Sequence, residues 1–310
     1  MILNAIGSLN RRLFLRTFGI FMIGILAVSW PVRAEDAEIV NAKPAMWLVE
    51  KDQGKTYFLG SFHLLPKNYN WYNGLVQSSF TSADELVLEI DLSNEATAEI
   101  QAMFIQNGFF TDEDNLKNHL DAARYEKMLT YARKYMGQEE AAAQKMKPWF
   151  MAVNLSVLAI MSSGMDPDSG VDKYLAGQAQ IAQKPISGLE TPMAQMMALI
   201  DHPLDVQAAM LSETLDQLDD FKAVMNGYLD AWASGDGDRI ASTMINDMRK
   251  YQGMYEALLV KRNKNWVAGL EGHINSGKTV FVVVGAAHLV GPDSVLIILQ
   301  DKGYNVVKIQ

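Results

Sequence analysis

The chain has 310 residues, 49% of them hydrophobic and 20% charged, which is the profile of a globular protein able to bury a sizeable core. It contains no cysteine, so disulfides, thiolate metal sites, a cysteine nucleophile and a lipid-modified cysteine at a cleavage point are excluded. A formal net charge of −9 without a basic stripe argues against nucleic acid and anionic membrane surfaces as partners.

The first elements read as an export signal. Arg11, Arg12 and Arg16, with no acidic residue among them, precede the apolar stretch "TFGIFMIGILAVSWPV", and Val32-Arg33-Ala34 offers small residues where a signal peptidase reads, so cleavage is expected after Ala34. "NRRLFLR" is similar to the twin-arginine motif, and an ordinary secretory route stays open beside it. An uncleaved anchor ranks behind both, because the run is shorter than the ~20 apolar residues a span needs. Removal of residues 1–34 takes away four basic residues and leaves 23 against 36 acidic ones, a net charge of −13. The expected location is periplasmic or secreted, and the mature chain, residues 35–310, shows no later stretch fit to cross a membrane.

"AMWLVEKDQGKTYFLGSFH" reads as two strands joined at Asp52-Gln53-Gly54-Lys55. "ELVLEID", residues 85–91, alternates as a third strand with Leu86, Leu88 and Ile90 on one face and Glu85, Val87 and Glu89 on the other. From about residue 95 to 266 the pattern is helical, interrupted by "KPISGLETP", a short strand followed by Thr191 and Pro192, which suit a helix start. The chain closes as strand, helix and strand through "TVFVVVGAAH", "PDSVLIILQDKG" and "YNVVKIQ". The expected fold is α/β, a mixed sheet built from both ends of the chain with a large helical insertion at about 95–266. Two separate domains are the alternative, and no Gly/Ser/Pro linker marks their boundary. The eighteen methionines are expected chiefly as core filler.

Two stretches share one grammar. "YFLGSFHLLP" and "VVVGAAHLVGP" each run from an apolar strand through Gly-x-x-His to a proline. Gly60 and Gly285 permit a sharp bend, which would set His63 and His288 at the carboxyl edge of the sheet, where open α/β sheets bind ligands. Two imidazoles and a carboxylate make a three-ligand site for a divalent transition metal with room for water, and Glu89 is placed to complete it. Such a metal would activate water for hydrolysis. His119, His202 and His273 lie in polar, helical or loop contexts without the Gly-x-x-His bend and are expected to be structural. No Gly-x-Ser-x-Gly elbow, His-Glu-x-x-His helix, phosphate loop or dinucleotide fingerprint is present.

"FLGSFHLLP", "ELVLEID", "GVDKYL", "GLETP", "VKRNKNW" and "VVVGAAHLVGPDSVLIILQDKGYNVVKI" resemble, in order, the successive motifs of the TraB/GumN family, which includes the Tiki metalloproteases. The resemblance spans nearly the whole mature chain. It implies an erythromycin esterase-like/ChaN-like architecture and an active centre of His63, His288 and Glu89 holding a divalent metal such as Mn, Co or Zn. It also implies that Asp172 lines the cleft, although Asp172 equally suits a helix N-cap worth about 1 kcal/mol. Glu190 reads either as a fourth ligand or general base, or as a carboxylate stabilised by a helix N-terminus. Arg262, which matches an arginine recurring in the family, and its neighbour Asn263 are expected substrate contacts, with the Arg262 guanidinium steadying a carboxylate or an oxyanion. The resulting expectation is an exported metal-dependent hydrolase acting on a peptide or small ester. A protein that binds metal, haem or peptide in the same cleft without turnover, a partner-recruiting scaffold and an esterase stay open beside it, and oligomeric state is not read.

Overall fold

In the computed structural model, which describes residues 38–310, the apolar run at 280–284, four valines and Phe281, lies inside a six-stranded sheet with apolar cover on both faces. The expected export segment, residues 1–34, lies outside the described residues. Among the described residues no helix is long and apolar enough to cross a membrane. The strands in chain order are β1 (Val40–Asn41), β2 (Met46–Lys51), β3 (Gly54–Ser61), β4 (Tyr69–Asn70), β5 (Glu85–Leu88), β6 (Ile186–Gly188), β7 (Thr279–Gly285) and β8 (Val306–Lys308). The large sheet has the order β6-β5-β7-β3-β2-β8, and β1 and β4 pair separately.

The fold is α/β, and both ends of the chain build its sheet. β6, β5, β7 and β3 run parallel, β2 is antiparallel to β3, and β8 is antiparallel to β2. β8 therefore points the same way as β7, from which β3 and β2 separate it. The β2–β3 hairpin turns on Asp52-Gln53, with Asp52 at φ 54, a left-handed conformation that aspartate tolerates better than most residues.

Alternate residues of the central strands feed two cores. Met46, Leu59, Leu86, Leu88, Phe281 and Val283 face one side and pack with the helices Gly74–Ser82, Val171–Ile181 and Phe221–Ala233. Val49, Phe58, Val87, Val280, Val282 and Val284 face the other and pack with Lys261–Ile274 and Val295–Asp301. β5 therefore differs from the alternating strand read from the sequence: it ends at Leu88, and Val87 is as buried as its neighbours because helices cover both faces of a parallel sheet. There is no acidic face, and Glu89 stands just past the strand end.

Helices fill the chain from Asn94 to Ile274, interrupted by β6. Part of this insertion has a third apolar cluster of its own, centred on Trp149, Leu155 and Leu211. Many methionines, among them Met46, Met128 and Met151, are fully buried filler, but Met210, Met244, Met248 and Met254 line an open cavity of about 220 Å³.

Candidate active site

Four adjacent parallel strands each release one polar side chain at the same edge of the sheet. Glu89 follows β5 directly, Glu190 comes two residues after β6, His63 two after β3 and His288 three after β7. This is the carboxyl edge, where backbone no longer fills the space between strands.

The paired glycines act differently from the bend expected of them. Gly285 sits at φ −48 and ψ 135, which any residue adopts, and Gly60 is not among the residues of positive φ. Their requirement is space. A Cβ on Gly60 would lie 2.9 Å from the Cα of Ala286, and one on Gly285 would lie 3.2 Å from Glu89 Oε1. The missing side chains let the two strand exits pack against each other and let Glu89 approach the backbone.

Each imidazole is held through Nδ1 by a side-chain oxygen. His63 Nδ1 lies 3.0 Å from Asp172 Oδ1, with the His63 side chain 61% exposed at the rim and Asp172 18% exposed behind it. Asp172 is not the N-cap of its helix; Gly170 holds that position, and Asp172 stands in the first turn, where a negative charge is favoured. His288 is only 5% exposed, and its Nδ1 lies 2.6 Å from Asn263 Oδ1. Asn263 donates from Nδ2 to the Asp293 carbonyl at 2.7 Å, so its Oδ1 must accept and the His288 Nδ1 must carry the proton. The lone pair of His288 is thereby fixed on Nε2. Asn263, expected to touch substrate, is instead fully buried behind His288 with both polar atoms engaged.

The two glutamates arrive as neighbours because sheet-like pairing continues past the strand ends, with Leu189 N donating to Leu88 O and Glu190 N to Glu89 O, both at 2.9 Å. Two buried carboxylates side by side repel, and Arg262 joins them. Its Nη2 lies 2.6 Å from both Glu89 Oε2 and Glu190 Oε1, its Nε donates to Glu190 at 3.0 Å, and its Nη1 donates to the Leu258 carbonyl at 3.1 Å. The guanidinium lies 4.8 Å from the Trp266 ring, and Trp266 Nε1 donates to Glu190 Oε2 at 3.1 Å. Arg262 sits at the start of the helix Lys261–Ile274, just after a π-helical turn at Glu256–Val260, a widened turn often found at functional sites. Glu89 also accepts from Gly285 N at 2.7 Å and from Gln195 Nε2 at 3.0 Å. Gln195 escaped the sequence reading. Its one sequence cue is a place in the first turn of the helix that Thr191 caps and Pro192 opens.

The electrostatics divide the two histidines. The Asp172 carboxylate raises the His63 pKa to about 9, against the partial desolvation of a ring that stays exposed at the rim. Burial, aided by the positive charges of Arg262 and His63, pushes His288 down to about 3 despite the pull of Glu89, so His288 is neutral. Burial opposes a charge on Glu89, but His288, Arg262, His63 and the Gly285 N–H together bring its pKa to about 2. Burial likewise opposes the charge on Asp172, which the His63 cation and its hydrogen bond hold below the usual carboxylate range.

These shifts set a pH profile for the protein stripped of metal. The His63 contribution is complete below pH 6.5 and lost as pH rises through about 9, because only the folded state keeps the proton. The His288 contribution runs the other way: below 6.5 the unfolded chain takes a proton that the folded one refuses until about 3. The Glu89 contribution is present above pH 4.5 and lost as pH falls toward 2. Denaturant unfolding across pH 4–10 should therefore show maximal stability near pH 6.5; a maximum above pH 9 would contradict the His63–Asp172 pair.

The donor types suit a divalent cation: a carboxylate held ionised, and two imidazoles whose Nδ1 atoms are engaged by outer partners, as metal-binding histidines require. Among the described residues, however, no three His, Asp or Glu side chains are drawn around one point. Arg262 instead engages Glu89 and places Nη1 3.1 Å from His288 Nε2, while Glu89 Oε1 stays 3.9 Å from that nitrogen. The structure thus brings together six of the expected residues, His63, Glu89, Asp172, Glu190, Arg262 and His288, with Asn263 behind them. His119, His202 and His273 bond elsewhere, to Asp114, the Ala198 carbonyl and Glu85.

A family model described as the TraB/PrgY/gumN family matches residues 45–308, nearly all of the described chain. No curated protein and no solved structure matches.

Proposed function

We propose, from the premise that the chain belongs to the TraB/PrgY/gumN family, that it is an exported metal-dependent hydrolase of peptide or small ester bonds, with His63, Glu89 and His288 as ligands of the metal. The observation that carries this reading is the fixing of His63 and His288 through Nδ1, by Asp172 and Asn263, on neighbouring strand exits beside an ionised glutamate. That arrangement leaves Nε2 as the coordinating atom on each ring, with His63 giving up, on metal binding, the proton that Asp172 helps it keep. A bound Mn, Co or Zn ion supplies Lewis-acid activation of water and of the scissile carbonyl.

The chain's own residues supply orientation and charge. Asp172 holds the exposed His63 at the rim, and Asn263 holds the buried His288. Arg262, fixed by Glu190, the Leu258 carbonyl and Trp266, presents a positive charge beside Glu89, where it can steady an oxyanion. Glu190 is better suited to anchoring Arg262 than to moving a proton, because Arg262 and Trp266 already donate to both of its oxygens. Glu89 accepts on both oxygens too, from Gly285 N, Gln195 and Arg262, so moving the proton of water would require Arg262 to release its Oε2.

The test is purification of the exported chain, chelation, and re-addition of Mn2+, Co2+ or Zn2+ with peptide and ester panels. Hydrolysis should vanish on chelation, return with metal and be absent from a His63→Ala, His288→Ala double variant. Silence on both panels with every metal would leave a binding protein and defeat the reading.

A second reading has one observation in its favour. His63 is exposed and paired with a carboxylate that keeps it protonated at neutral pH, as an acid that donates to a leaving alcohol must be. Ester hydrolysis that survives chelation and disappears in Asp172→Asn would select it.

A further inference from the structure

We infer that Arg262 is a resident cation that competes with the metal for His288, so that metal loading requires Arg262 Nη1 to leave the His288 Nε2 lone pair while Nε and Nη2 keep Glu190. The inference rests on the proposed metal-dependent reading and adds to it a competing group within the chain.

A neutral imidazole has one ring lone pair, and the Asn263 contact at 2.6 Å assigns it to Nε2 because Nδ1 carries the proton. In the structure that lone pair faces Arg262 Nη1 at 3.1 Å, and a guanidinium nitrogen can only donate. One lone pair serves an N–H or a metal, and the two occupants exclude each other. Glu89 adds to the contest, since its Oε2 accepts from Arg262 Nη2 at 2.6 Å.

Arg262 has somewhere to go. Nε and Nη2 reach Glu190 at 3.0 and 2.6 Å, Nη1 reaches the Leu258 carbonyl, and Trp266 lies against the guanidinium plane. None of these partners is a proposed metal ligand, so the arginine can give up Glu89 and His288 while keeping a buried counter-ion. Without a metal, the same arginine spares two adjacent buried carboxylates from lying unpaired. A fork is needed for this double duty; a lysine ammonium keeps the charge but cannot span Glu190 and His288 at once.

The experiment is titration of the chelated full mature chain with Mn2+ and, in parallel, Zn2+, by calorimetry, for wild type, Arg262→Lys and Arg262→Ala, with thermal melting of each metal-free protein. Both variants should bind the better of the two metals at least about tenfold more tightly, a change of about 1.4 kcal/mol, while melting at lower temperature without metal. Glu190→Gln, which removes the fallback anchor, should bind more weakly than wild type. Arg262→Lys preserves the charge, so it stays decisive if Arg262→Ala fails to fold. Equal or weaker binding by Arg262→Lys, with wild type still binding metal, would overturn the competition and leave the hydrolase reading standing. No binding by any of the proteins would remove both.

Discussion

Replacing Glu89 by alanine is expected to destabilise the protein by about 1–3 kcal/mol, the cost of leaving a buried N–H without its acceptor, since Arg262 keeps Glu190. Glu89 is 8% exposed and accepts from three elements at once: Gly285 N at the end of β7, Gln195 on the helix Pro192–Ile200, and Arg262 on the helix Lys261–Ile274. Alanine leaves the Gly285 N–H without its acceptor and removes one of the two carboxylates that hold the guanidinium. Glu89→Gln keeps the shape and an acceptor oxygen for Gly285, so it should cost less stability. On the proposed metal reading, both variants should also reduce turnover by at least about tenfold, the lower end for outer partners of a metal site. Urea unfolding of the two variants alongside the hydrolysis assay checks this. A Glu89→Ala protein as stable as wild type would show that Glu89 does not tie these elements together.

Gly170→Ala should be at least as damaging, for a reason that has nothing to do with charge. Gly170 has φ −58 and ψ 143, open to any residue, yet a Cβ there would lie 2.1 Å from the His63 carbonyl oxygen and 2.7 Å from its carbon. Both are backbone atoms of the strand exit that carries His63, and Val171 N donates to the Phe62 carbonyl at 3.0 Å beside them. Relief therefore requires the helix Val171–Ile181 to move away from the exit, taking Asp172 from His63. The expected cost is about 3 kcal/mol, the upper end for overpacking, together with loss of activity and a fall in the His63 pKa measured by NMR. Gly177→Ala, in the same helix, is the control. Its Cβ would meet nothing within 4 Å, and alanine is favoured over glycine inside a helix by up to about 1 kcal/mol. Equal melting temperatures for the two variants would sink the packing argument.

Most of the residues that converge were legible because they follow strands. An apolar run that ends in Gly-x-x-His marks a strand exit wherever the strand lies, so His63 and His288 declared themselves as edge residues without any knowledge of the sheet order. Glu89 and Glu190 carried the same cue in weaker form. The roles were less legible than the places. Asn263 and Arg262 are consecutive on one helix, and the sequence offered no reason for one to be buried behind an imidazole while the other bridges two carboxylates. Asp172 read as a cap because Asp beside a helix start is usually one; Gly170 takes the cap position because its backbone lies against His63. Gln195 gave no cue beyond its first-turn position.

The sequence by itself determined the main periodic features: the strands of the large sheet and the helical insertion, though not β1, β4 or the helix Gly74–Ser82, that the two ends of the chain supply most of the sheet, and that two histidines leave it through matching exits. These follow from local hydrophobic spacing and glycine placement, which act within a few residues. The tertiary structure alone decided the strand order that sets β7 between β5 and β3, and with it the placing of His63, Glu89 and His288 on neighbouring strand exits. It also decided that Arg262, more than 170 residues from Glu89, bridges the pair of glutamates. Contacts at that separation depend on how sheet and helices pack as whole bodies, and no local pattern encodes them.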